Sequence, residues 1–129
     1  MNAAKSAVKR RRRQMANKVV HFEVTGSDGA ALRKFYGDLF GWKFNEDFPI
    51  DYGVVEASEG SIGGGIGAAQ QGPGMVTFYV DTDDIPKGLE QAENLGGTTV
   101  SPEMEVPGGV KIGLFADPEG HVIGLVSGM

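Results

Sequence analysis

The chain runs through one order of structural signals twice, and that repetition limits its fold more than any other feature. A shift of 56 residues lays His21-Phe22-Glu23-Val24 over Thr77-Phe78-Tyr79-Val80. The same shift carries Asp28 onto Asp84, Leu39 onto Leu95 and Gly41 onto Gly97 without a gap. Identities are few, and any two strand-helix units would share a Phe and a Val. The agreement of strand, helix cap, apolar ridge and glycine stop in one order is what favours a duplicated unit.

Each signal has a physical basis. Val19 to Val24 mixes β-branched, aromatic and polar positions in alternation, as a half-buried strand does. Ser27 or Asp28 offers a helix N-cap, and Leu32, Phe35, Tyr36, Leu39 and Phe40 follow the spacing of one apolar helix face before Gly41. Three strands are expected next, near Trp42 to Asn45, Tyr52 to Ala57 and Ser61 to Ala68, divided by Pro49 and Glu59-Gly60. In the second half, Val76 to Val80 is a strand. Asp83 or Asp84 caps a helix with Pro86 in its first turn and Leu89, Ala92 and Leu95 on one face. Strands near Thr98 to Ser101, Val110 to Phe115 and His121 to Val126 complete it. The expectation is an α+β domain over residues 18–127, made of two βαβββ modules at 18–70 and 75–127 that join through Gly72-Pro73-Gly74.

A length of 129 residues suits one such domain and leaves little room for a second core. The sequence has no cysteine, which excludes thiol nucleophiles, thiolate metal sites and disulfides. No apolar run is long enough for a membrane span, and no segment near the start resembles a secretory signal, so a cytoplasmic protein without membrane contact is expected. Residues 1–17 read as a flexible basic tail. Its Lys9 to Arg13 run fits a nucleic-acid or membrane-surface contact in one reading, and an extension upstream of a start at Met15 in the favoured one. Residues 15–129 hold six bases against seventeen acids, a net charge of −11. Such a field repels nucleic acid and favours neutral or cationic small ligands.

Four segments in this order, HFEV at 21–24, FYGDLFGW at 35–42, LEQAENLGG at 89–97 and DPEGHVIGL at 117–125, resemble the vicinal oxygen chelate superfamily. That group includes glyoxalase I and its lactoylglutathione-lyase relatives, bleomycin-resistance proteins and extradiol dioxygenases. The resemblance implies paired βαβββ modules whose eight strands form an incompletely closed barrel around a ligand, often in a homodimer. In metal-dependent members each module supplies two ligands, one from its first strand and one, usually Glu, from its last. Here those positions fall on His21, Thr77, Gly64 and Gly124, so one of four ligands survives. A lone imidazole cannot hold a catalytic divalent ion against water, and no metal or other cofactor is expected. A shifted register could add Glu23 and Glu56 to His21, an unusual set.

Strand alternation places His21, Glu23 and Thr25 on one face and Phe22 and Val24 on the other, where the helix should pack. By the repeat, Thr77, Tyr79 and Asp81 join the first face, with Phe78 and Val80 buried beneath. The expected ligand-binding set is His21, Glu23, Glu56, Gly64, Thr77, Tyr79 and Gly124. The leading reading is a homodimeric, metal-independent small-molecule-binding protein that uses its cavity for sequestration or resistance. A second is a metal-independent lyase or isomerase with His21 as base and Glu23 or Tyr79 orienting the ligand. A third is a metal-dependent glyoxalase- or dioxygenase-type enzyme. The bland alternative makes His21 and Tyr79 hydrogen-bonded pocket wall. His121, which follows a turn, is expected to face solvent, and the Gly63-Gly64-Gly65-x-Gly67 run lacks the following helix of a phosphate loop.

Overall fold

The structure is a computed structural model that describes residues 16–70 and 72–129. The tail at 1–17 lies outside the described residues, Ala16 and Asn17 excepted. The elements are β1 (Val19–Gly26), α1 (Gly29–Phe40), β2 (Tyr52–Val55), β3 (Gly63–Ala68), β4 (Val76–Asp81), α2 (Ile85–Asn94), β5 (Thr98–Glu105), β6 (Lys111–Ala116) and β7 (Val122–Ser127). The seven strands form one mixed sheet in the order β2-β3-β1-β4-β7-β6-β5, open at its two edges.

Both helices begin where an aspartate can cap them. Asp28 accepts from the Ala31 amide at 3.0 Å and Asp84 from the Lys87 amide at 3.0 Å, each cap contributing about 1 kcal/mol. Gly41 ends α1 in the left-handed region at φ 74, which a side chain would resist.

The eighth strand expected at Trp42 to Asn45 does not form. Only one bridge, Asn45 to Val54, joins that stretch to the sheet. The Asn45 side chain instead accepts from the Asp47 amide at 3.0 Å, and the Phe48 amide donates to the Glu46 carbonyl at 2.8 Å. These local turns take up the amides of Asp47 and Phe48, so the pairing of Asn45 with Val54 is not extended in that direction.

At the centre of the sheet β1 and β4 run antiparallel with His21 opposite Tyr79, Phe22 opposite Phe78 and Glu23 opposite Thr77. Each of the two then pairs in parallel with a later strand, β1 with β3 and β4 with β7. Burial across this centre is reversed from simple expectation. On β4, Thr77 and Tyr79 are 6% and 5% exposed, whereas Val76 and Phe78 are 79% and 40% exposed. The helices explain it: α1 lies chiefly against β3, and α2 against β5 and β6. The apolar side of β1 and β4 between them is left uncovered, so Phe78 is not buried beneath the site as the alternation alone suggested. The core proper sits under α2, where Ile85, Leu89 and Leu125 are buried with Val80 and Phe115 against them.

Helix α1 also meets the sheet on an unexpected side. Its buried residues are Gly29 and Arg33, while Phe35, Leu39 and Phe40 are exposed. Arg33 donates to the Ile66 carbonyl at 3.1 Å, to Asp51 at 2.9 Å and to Glu46. One guanidinium thus ties α1, β3 and the loop before β2 together.

Candidate functional site

On β1 the period of two brings His21 and Glu23 to the same face, and the β4 register sets Tyr79 and Thr77 directly opposite them. His21 is 8% exposed. A fourth polar group completes the cluster: the Tyr52 hydroxyl lies 3.1 Å from His21 Nε2 and donates to Glu23 Oε2 at 3.3 Å. The Tyr79 phenol, on the facing strand, also acts on the Glu23 carboxyl and pulls its pKa down. The His21 and Tyr79 rings meet edge to face at 5.8 Å, and Phe48 packs edge-on against Tyr52 at 6.3 Å.

Two glycines give the phenol rings their places. A Cβ on Gly65 would stand 1.7 Å from the Tyr52 hydroxyl, and one on Gly124 would stand 2.3 Å from the Tyr79 ring. Both glycines therefore lie on the site face beneath an aromatic ring, and a side chain there would displace it. Gly124 pairs with Tyr79. Gly64 does not join the site. It pairs with Phe22, and its missing Cβ points at the Phe22 ring on the other face. Gly65, beside Glu23, occupies the corresponding position.

The remaining expected residues divide. Thr77 is on the site face, but its hydroxyl donates to the Val122 carbonyl at 2.6 Å and serves the join of β4 to β7. Glu56 is exposed beyond the end of β2. His121 is held by Asp117 at 3.0 Å within an exposed turn. Tyr52 is the residue that sequence reasoning missed. Its signal was present: in a strand paired with β3, its phenol needs small residues beneath it, and Gly65 and Gly67 supply them.

Electrostatics in the cluster follow from burial. Desolvation lowers the pKa of His21, so its imidazole favours the neutral form. Burial raises the Glu23 carboxyl, against the downward pull of the Tyr79 and Tyr52 hydrogen bonds. Burial, followed by the charge of Glu23, holds both phenols above the ordinary tyrosine range.

The donor set does not fit the metal that the fold implies. Among the described residues no three His, Cys, Asp or Glu side chains converge. His21 and Glu23 are the only strong donors present, both expected carboxylate positions on the closing strands lack side chains, and the adjoining space holds aromatic rings. Two shallow depressions, of about 360 Å³ beside α2 and about 510 Å³ beside Val76, Phe78 and His121, do not include His21 or Glu23. Their linings are mostly apolar; the second also holds Thr77 and the Asp117–His121 pair, but neither brings together an imidazole, a carboxylate and two phenols as the His21 cluster does.

Known proteins share this architecture. Methylmalonyl-CoA epimerase of Streptomyces coelicolor, solved with 2-nitronate-propionyl-CoA, superposes with a TM-score of 0.63 at 16% identity, covering 85% of this chain and 93% of that one. The epimerase of Mycobacterium tuberculosis gives 0.62 at 16% identity, covering 84% and 86%. At these identities the likeness is one of fold. A Mycobacterium tuberculosis protein named as a glyoxylase, CFP32, is 26% identical over 108 residues, 77% of this chain and 41% of that protein. The chain thus spans about two fifths of the curated relatives it matches, the Mycobacterium bovis counterpart included. The profile of one superfamily matches residues 18–125, nearly all of the described chain. This chain belongs to the Glyoxalase/Bleomycin resistance protein/Dioxygenase superfamily.

Proposed function

We propose that the chain is a metal-independent small-molecule-binding protein that holds its ligand at His21, Glu23, Tyr52 and Tyr79, in a sequestering or resistance role. The observation that carries this reading is the placement of Tyr52 and Tyr79 over Gly65 and Gly124, which leaves an imidazole, one carboxylate and two phenols where a metal site needs converging donors. Hydrogen-bonding groups backed by aromatic rings suit a small organic ligand. The net charge of −11 over residues 15–129 favours a neutral or cationic ligand over a polyanionic acyl-CoA.

The further parts of the reading rest on different observations. Opposition of Phe22 and Phe78, which the 56-residue shift also superposes, supports two copies of one βαβββ unit arranged about a local two-fold axis and an ancestry in the incompletely closed barrel. The uncovered apolar strip supports a homodimer: Phe78 lies beside Phe22, and Phe22, Trp42 and Phe40 continue it through ring contacts of 5.3 and 5.0 Å. No helix among the described residues is long and apolar enough to cross a membrane, and the cytoplasm is the proposed location. A second reading, a metal-independent lyase or isomerase with His21 as base, is favoured by the buried neutral imidazole.

Thermal shift with and without chelator tests the proposal. A cationic or neutral aromatic probe at a hundred times its Kd should stabilise the protein by about 2.7 kcal/mol. EDTA should leave that gain unchanged, and Glu23→Gln should reduce it. Stabilisation that appears only with added divalent metal would refute the reading. Turnover of a bound probe that His21→Gln abolishes would favour the second.

A further inference from the structure

Tyr52 stands between two groups that make different demands on its one hydrogen. Its oxygen is 3.1 Å from His21 Nε2 and 3.3 Å from Glu23 Oε2. An ionised carboxylate only accepts, so the phenol hydrogen then goes to Glu23. The phenol oxygen can offer His21 only a lone pair, and Nε2 must carry the ring proton. Nδ1 is left as the basic nitrogen. Once Glu23 is neutral, that constraint lifts: a carboxylic acid can donate to the phenol oxygen, and the phenol hydrogen can turn to Nε2.

We propose that Tyr52 is a positioning residue that fixes the His21 tautomer, with Nε2 protonated and Nδ1 presented as acceptor or base, and that the charge on Glu23 sets this choice. The inference deepens the reading of the cluster as the ligand site and rests on it for its functional meaning. The surrounding elements add few competing groups. Tyr79 of β4 acts on Glu23 and not on the Tyr52–His21 contact, Thr77 is committed to the Val122 carbonyl, and β3 and β7 present Gly65 and Gly124. Burial lowers the His21 pKa and raises that of Glu23.

The test is long-range proton–nitrogen NMR on the ¹⁵N-labelled full chain without ligand. The sequence has two histidines, and His121→Gln assigns the His21 ring signals. At neutral pH, His21 should show a protonated Nε2 and a bare Nδ1. Tyr52→Phe, with its amide spectrum otherwise native, should speed exchange of the Nε2 proton about fivefold, as expected for a neutral hydrogen bond of about 1 kcal/mol. Glu23→Gln keeps Tyr52 in place while allowing donation from the amide, and should shift the population toward protonated Nδ1. Should Tyr52→Phe fail to fold, the Glu23→Gln result decides. A wild-type ring protonated at Nδ1, or ring signals unchanged in Glu23→Gln, would overturn the inference. The readout needs no ligand, so a protein that binds nothing could still show the tautomer, and one that binds could still lack it.

Discussion

His21 is held neutral by burial, and the sign of its effect on stability follows. Its folded pKa lies below the ordinary 6.5, so the stability linked to its neutral form is present above 6.5 and lost as pH falls through the folded value. Glu23 acts oppositely: its raised pKa means that stability present below 4.5 is lost as pH climbs through the folded value. Denaturant titrations from pH 7 downward should therefore show wild type losing more stability below 6.5 than His21→Gln. Equal pH dependence would remove burial as the cause. Position 65 offers a separate check. Gly65→Ala places a methyl 1.7 Å from the end of the Tyr52 side chain, which can swing away; a cost of about 1–3 kcal/mol and loss of the His21–Tyr52 hydrogen bond are expected in denaturation and NMR. That glycine was nearly legible in the sequence. Ile66, fully buried in the structure, had to face the helix, which sends Gly64 with it and Gly65 to the opposite face. Placing the first module's closing-strand position on Gly64 instead slipped the register by one residue, and in a strand one residue exchanges the faces.

At the scale of elements, periodicity located α1 and α2 and most strands, because caps and glycine stops are local signals. It did not show which side of α1 meets the sheet. The apolar ridge at Phe35, Leu39 and Phe40 reads as the buried face, yet Arg33 is the residue that turns inward. Three acceptors arranged by distant segments make that possible: the Ile66 carbonyl, Asp51 and Glu46. No local pattern encodes such a partnership. Because Asp51 immediately precedes Tyr52, the arginine also anchors the start of β2 and hence the phenol. Removing it should disturb both stability and site. Its carboxylate partners are about half exposed, so the full cost of breaking a buried pair does not apply; Arg33→Met should lower stability by about 1–2 kcal/mol. Chemical denaturation checks the stability, and the Tyr52-dependent His21 signal checks the site. A variant with wild-type stability and an unchanged His21 signal would show that the network is incidental.

For the whole molecule, the uncovered strip and the metal-poor cluster make separate demands. A chain that leaves Val76 79% exposed and Phe78 40% exposed along its central strands has apolar surface suited to association. Sedimentation should find a dimer, and Phe78→Glu should weaken its association by at least about tenfold, since a charge there would be buried without a partner. A wild-type monomer at all concentrations would contradict the dimer. The central chemical question is whether a cation belongs beside His21. Titration calorimetry of the purified, chelator-treated protein with nickel, zinc and iron answers it directly: no stoichiometric binding dependent on His21 is expected, whereas one tightly bound ion per chain, lost in His21→Ala, would contradict metal-independent function.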